Sequence, residues 1–193
     1  MLKRVLAPLL GSLALAGGLA AAENPLLVES TLQFGYPRFD LVRDEHFRPA
    51  YEAAMAENLR EIEAIAADSA EPTFATTSEA LERAGAALER VDRISGGLNG
   101  TVTNPALQAV EQEMAPKLAA HADAILLNSA LFARVADLYA RRAALGLDPE
   151  SLRALERTHN DFVRAGARLG AAEQERLRAL NAELATLETT FSQ

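Results

Sequence analysis

Asp44-Glu45-His46-Phe47-Arg48-Pro49-Ala50-Tyr51-Glu52-Ala53-Ala54-Met55-Ala56-Glu57-Asn58-Leu59-Arg60-Glu61-Ile62-Glu63-Ala64-Ile65-Ala66-Ala67 places Phe47, Tyr51, Met55, Leu59, Ile62 and Ile65 three or four residues apart. That period puts all six on one stripe of an α-helix, and a strand cannot produce it. Pro49 falls in the first turn, where a missing N–H breaks no helical hydrogen bond. The segment therefore predicts a helix over 44–67 with one face turned to a core.

Toward the C-terminus the pattern returns repeatedly. Glu71-Pro72 marks a break, and Thr76 followed by Glu79 fits a capping box, with Phe74 set to pack on the next helix. Leu81, Ala84, Leu88, Val91 and Ile94 carry that stripe. Ser95-Gly96-Gly97-Leu98-Asn99-Gly100 is expected to end or loosen it, because each glycine disfavours helix by about 1 kcal/mol against alanine. Asn104-Pro105 reads as an N-cap and first helical position, and Leu107, Val110, Met114 and Leu118 line the face that follows. Pro116 inside that run predicts a kink near Ala115. Asn128-Ser129 starts the next helix, with Leu131, Val135, Leu138 and Tyr139 on its face and Gly146 as its stop. Asp148-Pro149-Glu150 starts another, carrying Leu152, Leu155, Phe162 and Leu169, with Gly170 near its end. Leu177, Leu180, Leu184, Leu187 and Phe191 form a heptad-like seam on the last helix, which runs to Gln193 without a polar tail. No segment alternates as an exposed strand does, and no fixed internal period marks a solenoid. The fold class is all-α: residues 44–193 form an antiparallel helical domain of about six helices. Leu81, Leu88, Leu118, Leu138, Leu155 and Leu180 are expected in its core.

Upstream, residues 23–43 read as an irregular N-terminal arm. Pro25, Gly35 and Pro37 interrupt any period, and Leu26, Leu27, Phe34, Tyr36 and Phe39 are expected to lie on the core. Residues 1–22 read as a signal peptide. Lys3 and Arg4 precede an uncharged Leu- and Ala-rich run from Val5 to Leu19, and Ala20-Ala21-Ala22 supply a cleavage site before Glu23. The run falls short of the roughly 20 apolar residues of a membrane span. Cleavage after Ala22, a periplasmic or secreted mature chain and no stable membrane insertion are the expectation.

The 193 residues are 49% hydrophobic and 24% charged, too apolar for global disorder. A formal net charge of −8 speaks against nucleic acid and against a polybasic membrane surface. With no cysteine, disulfides, thiolate metal sites and cysteine nucleophiles are all excluded. The only histidines are His46, His121 and His159. A helical zinc peptidase motif needs two histidines one turn apart with a glutamate between them, and none of these has such a neighbour. His121 with Asp123 and His159 with Asp161 are two residues apart, which on a helix points them in different directions. Each reads as a surface or packing residue. Glu79 and Arg83 read as a supporting i,i+4 ion pair. No Gly-x-Ser-x-Gly nucleophile motif or phosphate loop is present, and Asn99-Gly100-Thr101 reads as a flexible turn. No catalytic, cofactor-binding or metal residue is assigned.

An ordered series of blocks adds what composition and spacing do not supply. Phe39-Asp40-Leu41 leads to His46-Phe47-Arg48-Pro49-Ala50-Tyr51, then Glu61-Ile62-Glu63-Ala64-Ile65-Ala66, Glu71-Pro72-Thr73-Phe74 and Ala80-Leu81-Glu82. Thr103-Asn104-Pro105-Ala106-Leu107-Gln108 and Glu113-Met114-Ala115-Pro116-Lys117-Leu118-Ala119-Ala120-His121 are the most distinctive. Leu127-Asn128, Leu131-Phe132, Arg134-Val135, Leu147-Asp148-Pro149-Glu150, Phe162-Val163-Arg164-Ala165-Gly166 and the stretch from Leu187 to Gln193 extend the series. In order and spacing these blocks resemble the N-terminal portion of zinc metallopeptidases of the thimet oligopeptidase, oligopeptidase A and peptidyl-dipeptidase (dipeptidyl carboxypeptidase) family. Two departures stand out. Ala75 and Thr76 replace a more acidic or amide pair, and Ser95, Gly96 and Gly97 replace bulky apolar residues, which is expected to remove core side chains.

The resemblance implies a longer enzyme acting on short peptides. Its catalytic half, with His-Glu-x-x-His and a zinc ion, lies beyond this chain and is its natural packing partner, while these helices supply part of a substrate-channel wall. No catalytic residue carries over, because no position matches that motif, and the chain alone is expected to bind no zinc and cleave nothing. The alternative is a stand-alone, non-catalytic helical module derived from the family that binds peptides or a protein.

Overall fold

The computed structural model of the chain describes residues 24–192, so the signal-peptide reading of residues 1–22 lies outside the described residues. Seven α-helices follow an irregular arm: α1 Phe47–Ala66, the short α2 Glu79–Arg83, α3 Ala86–Val102, α4 Pro105–Leu126, α5 Ser129–Arg141, α6 Pro149–Arg164 and α7 Ala171–Ser192. Six of them are long, and no strand occurs among the described residues. The class is all-α, as the apolar spacing requires.

α1 is the spine. Its first half joins Phe47, Ala50, Tyr51 and Ala54 to Leu26 of the arm, Val91 and Ile94 of α3, and Leu107, Val110 and Met114 of α4. Its second half carries Ile62 into a separate cluster with Leu131 and Val135 of α5 and Phe162 of α6. The buried face is rotated from the expected stripe: Ala50, Ala54 and Asn58 face inward, and Leu59 is exposed. Small residues there let neighbouring helices approach α1 closely.

Polar ties fix the directions. Tyr51 Oη donates to Asp92 Oδ1 at 3.0 Å, while Gly85 N–H donates to Glu61 Oε2 at 2.7 Å, so α3 runs antiparallel to α1. Arg48 pairs with Glu113, and Lys117 Nζ reaches Glu52 Oε1 at 3.2 Å, so α4 runs parallel to α1. α5 and α6 form an antiparallel hairpin in which Phe132 stacks near Phe162 and Tyr139 on His159. The expectation that all neighbours are antiparallel fails between α4 and α5, whose axes bend by 52°. Only Leu127 and Asn128 separate them, and Asn128 caps α5 by accepting from Leu131 N–H at 3.0 Å. That joint redirects the chain without reversing it.

Several helix ends match their sequence signals. Asn104 accepts from Ala106 and Leu107 N–H, and Asp148 from Glu150 and Ser151 N–H. Gly146 has φ +62° and stops the turn after α5. α4 continues through Pro116 as one helix.

Other expectations are corrected. The cap before α2 is Thr73, not Thr76: Thr73 Oγ1 accepts from Thr76 N–H, Thr76 Oγ1 accepts from Thr73 N–H, and a π-turn over Phe74–Ser78 leads into the helix. Helix α3 runs unbroken through Ser95 to Gly100. A Cβ on Gly96, Gly97 or Gly100 would meet open space, so these glycines lie on the solvent side and take nothing from the core. Gly170 does not end α6. The chain turns earlier, at Gly166 (φ +94°), where Gly166 N–H bonds Val163 O and Ala167 N–H bonds Phe162 O, a Schellman closure. Gly170 instead opens α7, its N–H held by Glu173 Oε2 at 3.0 Å.

The arm meets the first core at its start and again through Val42 at its end. Asn24 donates to His46 O at 2.8 Å and accepts from Leu26 N–H, which seats Leu26 in the core with Leu27 half-covered beside it. Phe34, Tyr36 and Phe39, expected on the core, are exposed. Phe34 and Gly35 both take positive φ, and Tyr36 meets Phe39 edge-on at 6.2 Å.

Candidate functional site

The three histidines sit on separate elements and each is engaged in structure. Nδ1 of His46 accepts from Arg43 N–H at 3.1 Å, closing the turn before α1. His121 is buried on α4, its Nε2 at 2.8 Å from Asn58 Oδ1 on α1, so Nε2 carries the proton. Nδ1 of His121 has no partner, and burial lowers the ring's pKa. His159 is buried on α6, its ring 3.8 Å from and parallel to Tyr139, with Arg142 over the other face of the tyrosine at 4.1 Å. Burial and then Arg168, whose guanidinium lies 3.4 Å from Nε2, lower its pKa too. Among the described residues no three His, Asp or Glu side chains are grouped to hold a metal.

Asp123 and His121 do diverge on α4. His121 points to α1, while Asp123 is buried toward α7 and accepts from Asn181 Nδ2 at 2.7 Å. Glu79 and Arg83 form the expected pair at 3.4 Å on an exposed surface, where such pairs contribute little. The phenol of Tyr51 is pushed up by burial.

Two depressions among the described residues bear on the question. One, of about 360 Å³, lies over Asn58, Gly85, Leu118 and His121. Gly85 has φ +83° and lies so close that a Cβ there would come within 2.9 Å of Asn58 Nδ2. The other, of about 730 Å³, runs between the arm and α3, past Phe34, Tyr36, Arg38, Arg90 and Arg93. Its arginines are already committed: Arg38 to Asp40, Arg90 to Leu27 O and Glu29, and Arg93 to Glu89. Neither depression presents a nucleophile with a base beside it. No single described helix is long and apolar enough to cross a membrane.

α7 carries an exposed apolar row. Leu180, expected in the core, is 52% exposed, and Leu184, Leu187 and Phe191 are 53%, 59% and 93% exposed. Leu177, at the start of the heptad seam, is half-buried beside Gly166, and from Leu180 on the seam faces away from the domain. Asn181, Ala182, Ala185 and Thr189 are half-buried on the other side, from which Asn181 reaches Asp123 of α4. Sequence periodicity found the seam but had no means of saying which of the two faces the domain would use. The pairs Asn58–His121 and Asp123–Asn181 were not found either, because partners 63 and 58 residues apart leave no local pattern.

Comparison with known proteins supplies the family. No family model matches the chain. A dipeptidyl carboxypeptidase of Salmonella typhimurium is 44% identical over 170 residues, 88% of this chain and 25% of that protein. The chain belongs to the dipeptidyl carboxypeptidase and oligopeptidase A family. The Escherichia coli dipeptidyl carboxypeptidase is 42% identical over the same share, and oligopeptidase A of Salmonella typhimurium is 24% identical over 169 residues, 24% of its length. The chain thus spans about a quarter of the length of these family members.

Proposed function

We propose that this chain is the N-terminal helical portion of an exported, zinc-dependent peptidyl-dipeptidase, contributing part of the wall of the channel that admits short peptides and none of the catalytic groups. Identity of 44% to a dipeptidyl carboxypeptidase over a quarter of its length carries this reading. The lower identity to oligopeptidase A, 24%, favours release of dipeptides from peptide carboxyl ends over internal cleavage.

Catalytic zinc takes about three protein ligands in one geometry with an open position for water. The described residues do not fit it: His46, His121 and His159 are each bound into a turn, a buried amide pair and a ring stack. No catalytic step is derived through them. The zinc and its glutamate base belong to the remainder of the longer enzyme. The uncovered seam of α7 supports a division of this kind, since an exposed leucine row of that length marks an interaction surface.

A chimera tests the reading. Residues 23–193 replace the matching segment of the Salmonella dipeptidyl carboxypeptidase, and dipeptide release from a C-terminally labelled peptide is followed with and without chelator. Chelator-sensitive release by a soluble chimera is expected. A folded chimera that loads zinc yet releases nothing would leave the stand-alone binding module as the better reading.

A further inference from the structure

α7 lies on α4 by its less apolar side. Gln174, Arg178, Asn181, Ala182, Ala185 and Thr189 are half-buried there, while Leu180, Leu184, Leu187 and Phe191 stay exposed. At 100° per residue the exposed row lies roughly 125° around the helix from the buried side. Turning α7 by that angle would exchange amides, alanines and a threonine for three leucines and a phenylalanine, an exchange that apolar burial favours. α7 lies chiefly along α4, so the choice of side is made on α4.

Asp123 of α4 supplies a reason for the choice. Its side chain is buried toward α7, where Oδ1 accepts from Asn181 Nδ2 at 2.7 Å. Oδ2 is buried without a partner, so the carboxylate depends on the amide above it. With the leucine row turned inward, Asn181 would swing aside and methyl groups would close over a desolvated carboxylate. A buried polar group that loses its donor and cannot regain water is strongly disfavoured. The carboxylate thus penalises the apolar side, and the amide rewards the polar one. A buried polar side chain fixes register in coiled coils by the same means.

We propose that Asp123 and Asn181 are positioning residues that form a rotational lock, holding the small, polar side of α7 on α4 and its apolar row outward. The lock is independent of what the row meets and of the proposed function. A rival determinant is local: Glu173 Oε2 holds Gly170 N–H at 3.0 Å, and Leu177 lies beside Gly166, which ties down the first turns of α7.

The chain has no cysteine, so single introduced thiols report which side of α7 is open. Ala185→Cys marks the inward side and Leu187→Cys the row. The rate of each with a disulfide reagent is divided by its rate in denaturant. In the otherwise unchanged chain the thiol of Leu187→Cys is expected to react faster than that of Ala185→Cys. In D123L/N181L the order is expected to invert with helicity by circular dichroism retained, because replacing both members of a buried polar pair by apolar groups of similar size leaves nothing unsatisfied. D123N, whose amide oxygen still accepts from Asn181, is expected to keep the original order. An order unchanged in D123L/N181L overturns the proposal and assigns the choice to the turn at Gly166–Gly170. Equal rates in the unchanged chain or in D123L/N181L, loss of helicity in D123L/N181L, or an inverted order in D123N overturn it as well, since the pair would then not be choosing the side.

Discussion

At the scale of single residues, the chain hides a few polar groups that sequence spacing could count but not pair. His121 holds its Nε2 proton on Asn58 and leaves Nδ1 buried without an acceptor, so a second proton on the ring has nowhere to bond. Burial lowers its pKa below the ordinary 6.5, and His159 is lowered for the same reason with help from Arg168. The folded state thus prefers neutral rings. Their contribution to stability is complete above pH 6.5 and is lost as pH falls below that value, where the unfolded chain binds protons that the folded chain resists. Thermal unfolding is expected to shift down between pH 7 and pH 5, and His121→Gln, which keeps an amide donor for Asn58, is expected to flatten that slope. An unchanged slope in the variant contradicts the assignment. The stripe from Leu81 to Ile94 read as one helix, but extended Ala84 and Gly85, with positive φ beside Asn58, split it into α2 and α3. Gly85→Ala is expected to destabilise by at least roughly 1–2 kcal/mol in a denaturant titration. Wild-type stability in that variant would show that the turn relaxes freely.

At the scale of elements, apolar period and caps were legible because they are local. Asn104 and Asp148 cap where they read as caps, and Asn128 caps the helix it was read to start, since each needs only the N–H groups two or three residues on. Helix α3 defied its glycines because Val91, Ile94 and Leu98 pack on the first core while Gly96 and Gly97 look to solvent, and tertiary burial outweighs weak propensity. Gly96→Ala and Gly97→Ala are therefore expected to stabilise the chain by about 1 kcal/mol each in a denaturant titration. Destabilisation by either would mean that the glycine is needed for a close approach. Leu131, fully buried where α1, α5 and α6 meet, marks the opposite case. Leu131→Ala is expected to cost about 2–5 kcal/mol in the same titration. The rotation of α1 toward Ala50, Ala54 and Asn58 escaped the sequence because a hydrophobic stripe ranks residues by size, while close helix packing selects small ones.

At the scale of the whole molecule, α1 ties two cores together, α4 runs beside it, and α7 lies on α4 by its small-residue side with its leucine row outward. Class and helix number were legible from period alone. The 52° bend between α4 and α5 and the choice of face on α7 were not, since both depend on contacts far apart in sequence. Family membership came from the order of short blocks, which no single motif carries. Export belongs to this scale as well: the mature protein is expected to begin at Glu23 in the periplasm or medium, and an N-terminal mass beginning at Met1 in a cytoplasmic fraction contradicts it. The central claim is that this portion shapes a peptidase without performing its chemistry. The most direct measurement is hydrolysis of a quenched peptide by the purified chain alone, with and without chelator, alongside its zinc content. The account predicts no chelator-sensitive cleavage and no stoichiometric zinc; one bound zinc per chain together with cleavage that the chelator abolishes would contradict it.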